Sequence, residues 1–344
     1  MERRQHHARV RPRAWLLLVS ACVSTACTEP EDDPLAPPPG SLLVDSLGPL
    51  PDTLRETGMY PRAPELESQP REALAYAPAW PLWSSGSDKA RYVVLPQGEP
   101  IDNSVSDAWR VPVGTLLFKT FSYPDAQGRD RPVETRLMRL DAEGEWEFAA
   151  YQWDEAGEDA TLLEIDRPTE VTVPGQPELR HTIPARLECR QCHEASPDPV
   201  LGLSEVQLVE QLDTLADAGA FLEPPPSTPE GITHADATTQ QVLGWFHGNC
   251  VHCHNGTDAE NASFSLLAAD ALANTIGQPT QSSASAEGIR IEPGEPEQSV
   301  LWLVVSGEGD DPELEDMPPV GIDRRDDAGV ALLRTFIEGL ADDE

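Results

Sequence analysis

The chain has 344 residues, enough for two or three domains, and a formal net charge of −36. An acidic balance of this size argues against nucleic acid as a partner, because phosphates demand a basic face. It would steer basic proteins toward the surface and repel acidic ones. The 34 prolines favour loops and short strands over long helices.

Residues 1–28 have the form of an export segment. Arg3, Arg4, Arg9, Arg11 and Arg13 make a positive start, and Trp15–Val19 begins an apolar core too short to remain as a membrane span. Val19-Ser20-Ala21-Cys22 resembles a bacterial lipoprotein cleavage box, in which small residues precede a cysteine that becomes lipidated. Ser24-Thr25-Ala26-Cys27 is the alternative, and secretion without a lipid is the plainer reading. A lipid would anchor the mature chain to a membrane without making it span one. Residues 29–77 open with Glu29, Glu31, Asp32, Asp33 and Pro37-Pro38-Pro39, which cannot bury a core and form an extended tether. Leu42, Leu43, Val44, Leu47 and Leu50 follow as an ambiguous apolar stretch able to pack on the next domain.

From 78 to 184 the pattern is β. Strands are expected at 91–95, 115–122, 133–140, 146–153, 161–165 and 170–173, with Asp141-Ala142-Glu143-Gly144 turning one into the next. Short strands at this spacing suggest a sandwich or barrel-like domain. Trp80, Trp83, Trp109, Trp146 and Trp153 could form a sugar platform, but core packing is the simpler use of large aromatics in a β domain. Residues 185–235 then carry a first motif and a helix over 204–219, ending in a proline-rich linker. Residues 236–344 contain a helix from Asp236 or Thr238 to His247, a second motif, a helix over 296–306, Met317-Pro318-Pro319, and a closing amphipathic helix over 326–340. The fold class expected is therefore α+β and multidomain, with a β-sandwich or barrel-like domain followed by a mostly helical region.

The two motifs are Cys189-Arg190-Gln191-Cys192-His193 and Cys250-Val251-His252-Cys253-His254. Both have the C-x-x-C-H spacing of covalent haem attachment. Two thiols three positions apart can form thioethers with the vinyl groups on one porphyrin edge, and the adjoining imidazole reaches the iron. A structural zinc site could use two C-x-x-C pairs, and two disulfides could close them, but neither needs the histidine after each pair. Two c-type haems follow, with His193 and His254 as proximal ligands. The second pentapeptide, its preceding helix, the Met-Pro-Pro loop and the closing helix resemble a class I cytochrome c domain, which makes Met317 the distal ligand of the second haem. For the first haem the sixth ligand is open: His247, His181, a vacant position or Met138 are the choices. His234, His252 and Met59 are less well placed.

Further stretches carry a family resemblance. They include Trp80-Pro81-Leu82-Trp83-Ser84, Asp88-Lys89-Ala90-Arg91, Leu95-Pro96-Gln97-Gly98 and Val111-Pro112-Val113-Gly114-Thr115. Glu134-Thr135-Arg136-Leu137, Ile183-Pro184-Ala185-Arg186, Pro199-Val200-Leu201-Gly202 and Met317–Gly321 join the two motifs in the same likeness. Over roughly 78–340 the chain resembles bacterial dihaem c-type cytochrome lipoproteins of Gram-negative envelopes. That resemblance implies electron transfer and two covalent haems and names no substrate; the reading that follows is an electron relay on the periplasmic side, with a redox protein or a membrane electron-transfer component as partner and no substrate of its own. No residue has a catalytic role in this reading. The alternatives are a dihaem peroxidase-like enzyme, with one open iron and His181 or Glu188 as acid or base, and a binding module whose β domain docks a partner dehydrogenase.

Overall fold

The computed structural model describes residues 46–60, 69–70, 72–106, 108–257, 264–280, 288–309 and 314–343, all within one compact unit. The export segment, Cys22, Cys27, the acidic tether and Leu42–Val44 lie outside the described residues.

Six strands run in sequence order as an antiparallel meander: β1 (Ala73–Ala75), β2 (Asp88–Val94), β3 (Leu116–Pro124), β4 (Asp130–Leu140), β5 (Trp146–Trp153) and β6 (Ala160–Leu162). A separate hairpin pairs β7 (Thr169–Val173) with β8 (Gln176–Ile183). The expected sandwich is thus corrected to one sheet whose two faces are covered by other parts of the chain. Side chains alternate along a strand, so Val93, Leu117, Met138 and Phe148 share one face with Val200, Leu203, Leu208, Leu212 and Leu215. Val94, Leu116, Phe118, Leu137 and Tyr151 occupy the other, under Leu54, Met59 and Tyr60. Burial on both sides explains why β3 is almost continuously apolar rather than alternating.

The helices follow. α1 (Arg186–His193) starts directly after β8, where the Glu188 carboxylate accepts the Ala185 N–H at 2.7 Å. The single helix expected over 204–219 is two pieces, α2 (Glu205–Leu208) and α3 (Leu212–Asp217). The bend between them serves a contact: Gln207 and Gln211 accept the backbone N–H groups of Trp80 (2.9 Å) and Ala77 (3.0 Å). α4 (Ala237–Asn249) begins where the Asp236 carboxylate accepts the Thr239 N–H at 2.8 Å. That is ordinary N-cap chemistry. α5 (Ala271–Thr275), α6 (Val300–Ser306) and α7 (Asp327–Gly339) complete the set. Val242, Phe246, Trp302, Leu333, Phe336 and Ile337 form their core. Fold class is therefore α+β, with the sheet first and the helices later. Among the described residues no helix is long and apolar enough to cross a membrane.

One close approach ties α4 to the β region. A Cβ at Gly244 would lie 2.2 Å from the Trp80 ring, and one at Gly248 would lie 2.5 Å from the Trp80 carbonyl oxygen. Glycine is required at both positions because a methyl has no room. Gly244→Ala should lower stability by about 1–3 kcal/mol through overpacking, and Gly248→Ala by at least as much, since backbone yields less than a ring. Thermal unfolding of the two variants against the parent checks this, and unchanged midpoints would refute the packing.

Candidate cofactor cavity

The sheet face that carries Val93 and Leu117, together with α1, α4, α6 and the loop at Met317, encloses a cavity of about 1200 Å³. Ordinary small-molecule sites occupy roughly 300–1,000 Å³. All four described cysteines, His193 and His254 line it, as do His181, His247 and Met317. The motifs are side by side: the Cys192 thiol hydrogen-bonds with Cys253 and with His252. Asn255 Nδ2 adds a bond of 3.0 Å to the Ala195 carbonyl, joining the segments that follow each motif. The cysteines are free rather than bridged. Among the described residues no three His, Cys, Asp or Glu side chains converge where a metal ion could be held directly. A haem iron takes its four in-plane ligands from the porphyrin and needs only one or two from protein.

The imidazoles that follow the two cysteine pairs are held differently. His193 ends α1, and its Nδ1 lies 2.6 Å from the Pro199 carbonyl. A carbonyl only accepts, so Nδ1 carries the proton and Nε2 is left with a free lone pair. Burial, followed by the bond to Pro199 opposing it and the charges of Lys119 and Arg136, brings His193 down to about 4. His254 is also lowered to about 4, chiefly by burial. Its Nδ1 is buried without a hydrogen bond of normal geometry, although the Phe264 backbone lies close. Both rings are therefore neutral and able to donate to a metal. Burial holds Cys250 up at about 12, while the bond to Cys253 and burial do the same for Cys192. These thiols stay protonated rather than forming exposed, reactive thiolates.

The other predicted ligands separate clearly. His247, one turn before Cys250 on α4, faces the cavity, and burial lowers it to about 4. It has no hydrogen bond or ion pair among the described residues. His181 is committed at both nitrogens, with Nε2 2.8 Å from Glu134 and Nδ1 3.1 Å from the Tyr123 hydroxyl. It offers iron no spare lone pair in this arrangement. Glu188 is engaged in starting α1. Met138 lines the cavity, whereas Met59 lies under the opposite face of the sheet. His234 is exposed and bonded within its own turn, and His252 is held against Cys192.

Met317 is placed by a clasp that sequence reasoning did not foresee. Its N–H donates to the Val304 carbonyl at 2.9 Å. Farther along the loop, Asp323 accepts from Thr182 N (2.8 Å) and Thr182 Oγ1 (2.5 Å). Ser85 Oγ accepts the N–H groups of Asp323 and Arg324, and Trp83 Nε1 donates to the Arg324 carbonyl at 2.7 Å. Ser85 is 2% exposed and holds φ at 55°, the one non-glycine positive φ among the described residues. Such strain persists where surrounding bonds over-determine it. The residues present fit two covalently held haems: paired thiols, neutral imidazoles and a thioether share one cavity.

No family model, curated protein or solved structure matches this chain. The likeness to dihaem cytochrome lipoproteins therefore rests on the motifs themselves.

Glu134 is fully buried and bonded to both His181 and Arg136. Burial alone would raise its pKa, but Arg136 and His181 overcome that and hold it at about 2. Its folded value lies below its ordinary one near 4.5, so its contribution to stability is complete above pH 4.5 and disappears as pH falls toward 2. Glu134→Gln should cost about 3–5 kcal/mol at neutral pH by leaving buried charge unpaired. It should also flatten the fall in stability between pH 4.5 and 2. Denaturant unfolding across that range checks both; parallel pH curves for parent and variant would refute the assignment.

Proposed function

We propose that this chain is a dihaem c-type cytochrome that transfers electrons at the cell envelope. The observation that carries the reading is that both C-x-x-C-H motifs open into one cavity with Cys192 against Cys253. Cys189 and Cys192 would hold one haem, and Cys250 and Cys253 the other, with His193 and His254 as proximal ligands. When bound, each haem supplies a one-electron couple. The chain's own residues do the positioning. Pro199 fixes the tautomer of His193, the clasp at Asp323 anchors the loop whose Met317 would serve the second haem, and the unbonded His247 imidazole would be a ligand for the first. His181 and Glu188, the acid or base of a peroxidase-type reading, are both engaged in bonds of the fold. A lipid at Cys22, or at Cys27, would tether the protein on the periplasmic side of a Gram-negative envelope. Its partner there would be a redox protein, such as a dehydrogenase, or a membrane electron-transfer component.

An optical redox titration of the haem-loaded chain, with and without carbon monoxide, tests this. Two low-spin haems should titrate, one with the near-infrared band of His/Met ligation, and neither should bind carbon monoxide readily. Met317→Ala should abolish that band and lower one potential, because methionine ligation raises it. His247→Ala should open the other haem to carbon monoxide. A parent protein that loads no covalent haem would sink the reading, and rapid carbon monoxide binding with peroxide turnover would replace relay by catalysis.

A further inference from the structure

Beyond the thiols and imidazoles, the cavity has a charged wall. Arg91, Lys119 and Arg136 stand directly opposite one another on β2, β3 and β4, with Arg91 across from Lys119 and Lys119 across from Arg136. All three line the cavity. Like charges opposed across strands repel, and buried charges are normally paired. Only Arg136 is answered: Glu134 accepts its Nε at 2.6 Å and its Nη2 at 3.0 Å. Arg91, 7% exposed, and Lys119 have neither a hydrogen bond nor an ion pair to their side chains among the described residues. Lys119 Nζ instead lies 4.8 Å from the Phe121 ring centre, which the Arg136 guanidinium shares at 4.4 Å.

The chain has 60 acidic residues against 24 basic ones, so a wall of unpaired cations is not a shortage of carboxylates. Asp198 also lines the cavity, but it accepts the Val200 N–H, and burial raises it to about 7. It does not neutralise the ladder. Of the three, only Arg136 is bonded to a carboxylate, and Arg91 and Lys119 have none among the described residues. Burial, then repulsion from Arg91 and Arg136, pushes Lys119 well below its ordinary value. An anion in the cavity would reverse that push. Lys119 and Arg136 both act electrostatically on His193, and Arg136 also on Cys189 and Cys192. The ladder therefore shares the cavity with the first motif, though nearness to its thiols marks the vinyl edge of a haem and not the propionate edge.

We propose that Arg91, Lys119 and Arg136 form a carboxylate-binding site that holds propionate groups of a haem bound in this cavity. This rests on the dihaem reading. Propionates would supply acceptors to Arg91 and Lys119, the two side chains that have none among the described residues. A soluble carboxylate or phosphate has the same chemistry, so the test must separate the sources.

The test uses the full haem-loaded chain carrying Lys119→Gln or Arg91→Gln, with Lys119→Arg as the charge-keeping variant. Resonance Raman propionate bands and the two reduction potentials are the readouts. A positive charge beside a haem disfavours its oxidised form, so Lys119→Gln should lower one potential and leave the other nearly unchanged. It should also shift the propionate bands. Lys119→Arg should restore both, and adding inorganic phosphate to the parent should change neither. A phosphate-dependent shift in the parent, lost in Lys119→Gln, would sustain the anion site and overturn the propionate assignment. If Lys119→Gln fails to fold, Arg91→Gln carries the same comparison. Unchanged bands and potentials in the loaded variants, with no response to phosphate, would overturn the proposal while leaving both haems in place. A parent without covalent haem would instead overturn the reading beneath it.

Discussion

Everything in this structure depends on one sheet face performing two tasks. Side chains alternate along each strand, so the face that presents Val93, Leu117 and Met138 also presents Arg91, Lys119 and Arg136 one or two steps farther on. At its apolar end the face is sealed by Val200, Leu203 and Leu208. At its charged end no apolar cover is tolerable, and the chain leaves a cavity there. The second face is closed by Leu54, Met59 and Tyr60, so the meander needs no partner sheet.

The helices complete the cavity from two directions. α1 follows directly from β8 and carries Cys189, Cys192 and His193; α4 comes after α2 and α3 and leads into Cys250, Cys253 and His254. Gly244 and Gly248 let α4 lie against the Trp80 backbone, and this sets how closely the second motif approaches the first. Burial keeps the imidazoles neutral, while the unpaired cations bring positive charge to the same space. In a chain of net charge −36, three basic side chains side by side on the cavity wall stand out.

Much of this was legible in the residues. β5 lies at Trp146–Trp153, where the aromatic ends and the Asp141–Gly144 turn placed it, and α7 closes the chain where Val330, Leu333, Phe336 and Ile337 recur at helical spacing. The two motifs stood out by their spacing, and the fold brings them to one cavity. β1 and β8 were missed because Ala73–Ala75 is too short to show a period, and Gln176–Ile183 is polar on an exposed hairpin. α1 was hidden because its side chains are not buried in an apolar core. The helix expected over 204–219 is broken between Leu208 and Leu212, where Gln207 and Gln211 bind the Trp80 and Ala77 backbone. Arg136 looked like the solvent side of an amphipathic strand; alternation gives the face but not what lies over it. Lys119, in the middle of an apolar run, was the one visible hint of a charged interior.

The clasp between Asp323, Thr182 and Ser85 has a consequence for how such a protein can be divided or inherited. A fragment starting at residue 236 would retain Met317, His254 and both cysteines of the second motif, yet it would shed every β-region group that grips the loop beyond Met317. The C-terminal region is therefore not a self-sufficient cassette. Exchanging the β region for an unrelated one would leave the sulfur-bearing loop without its footing, even with no residue altered beyond position 235.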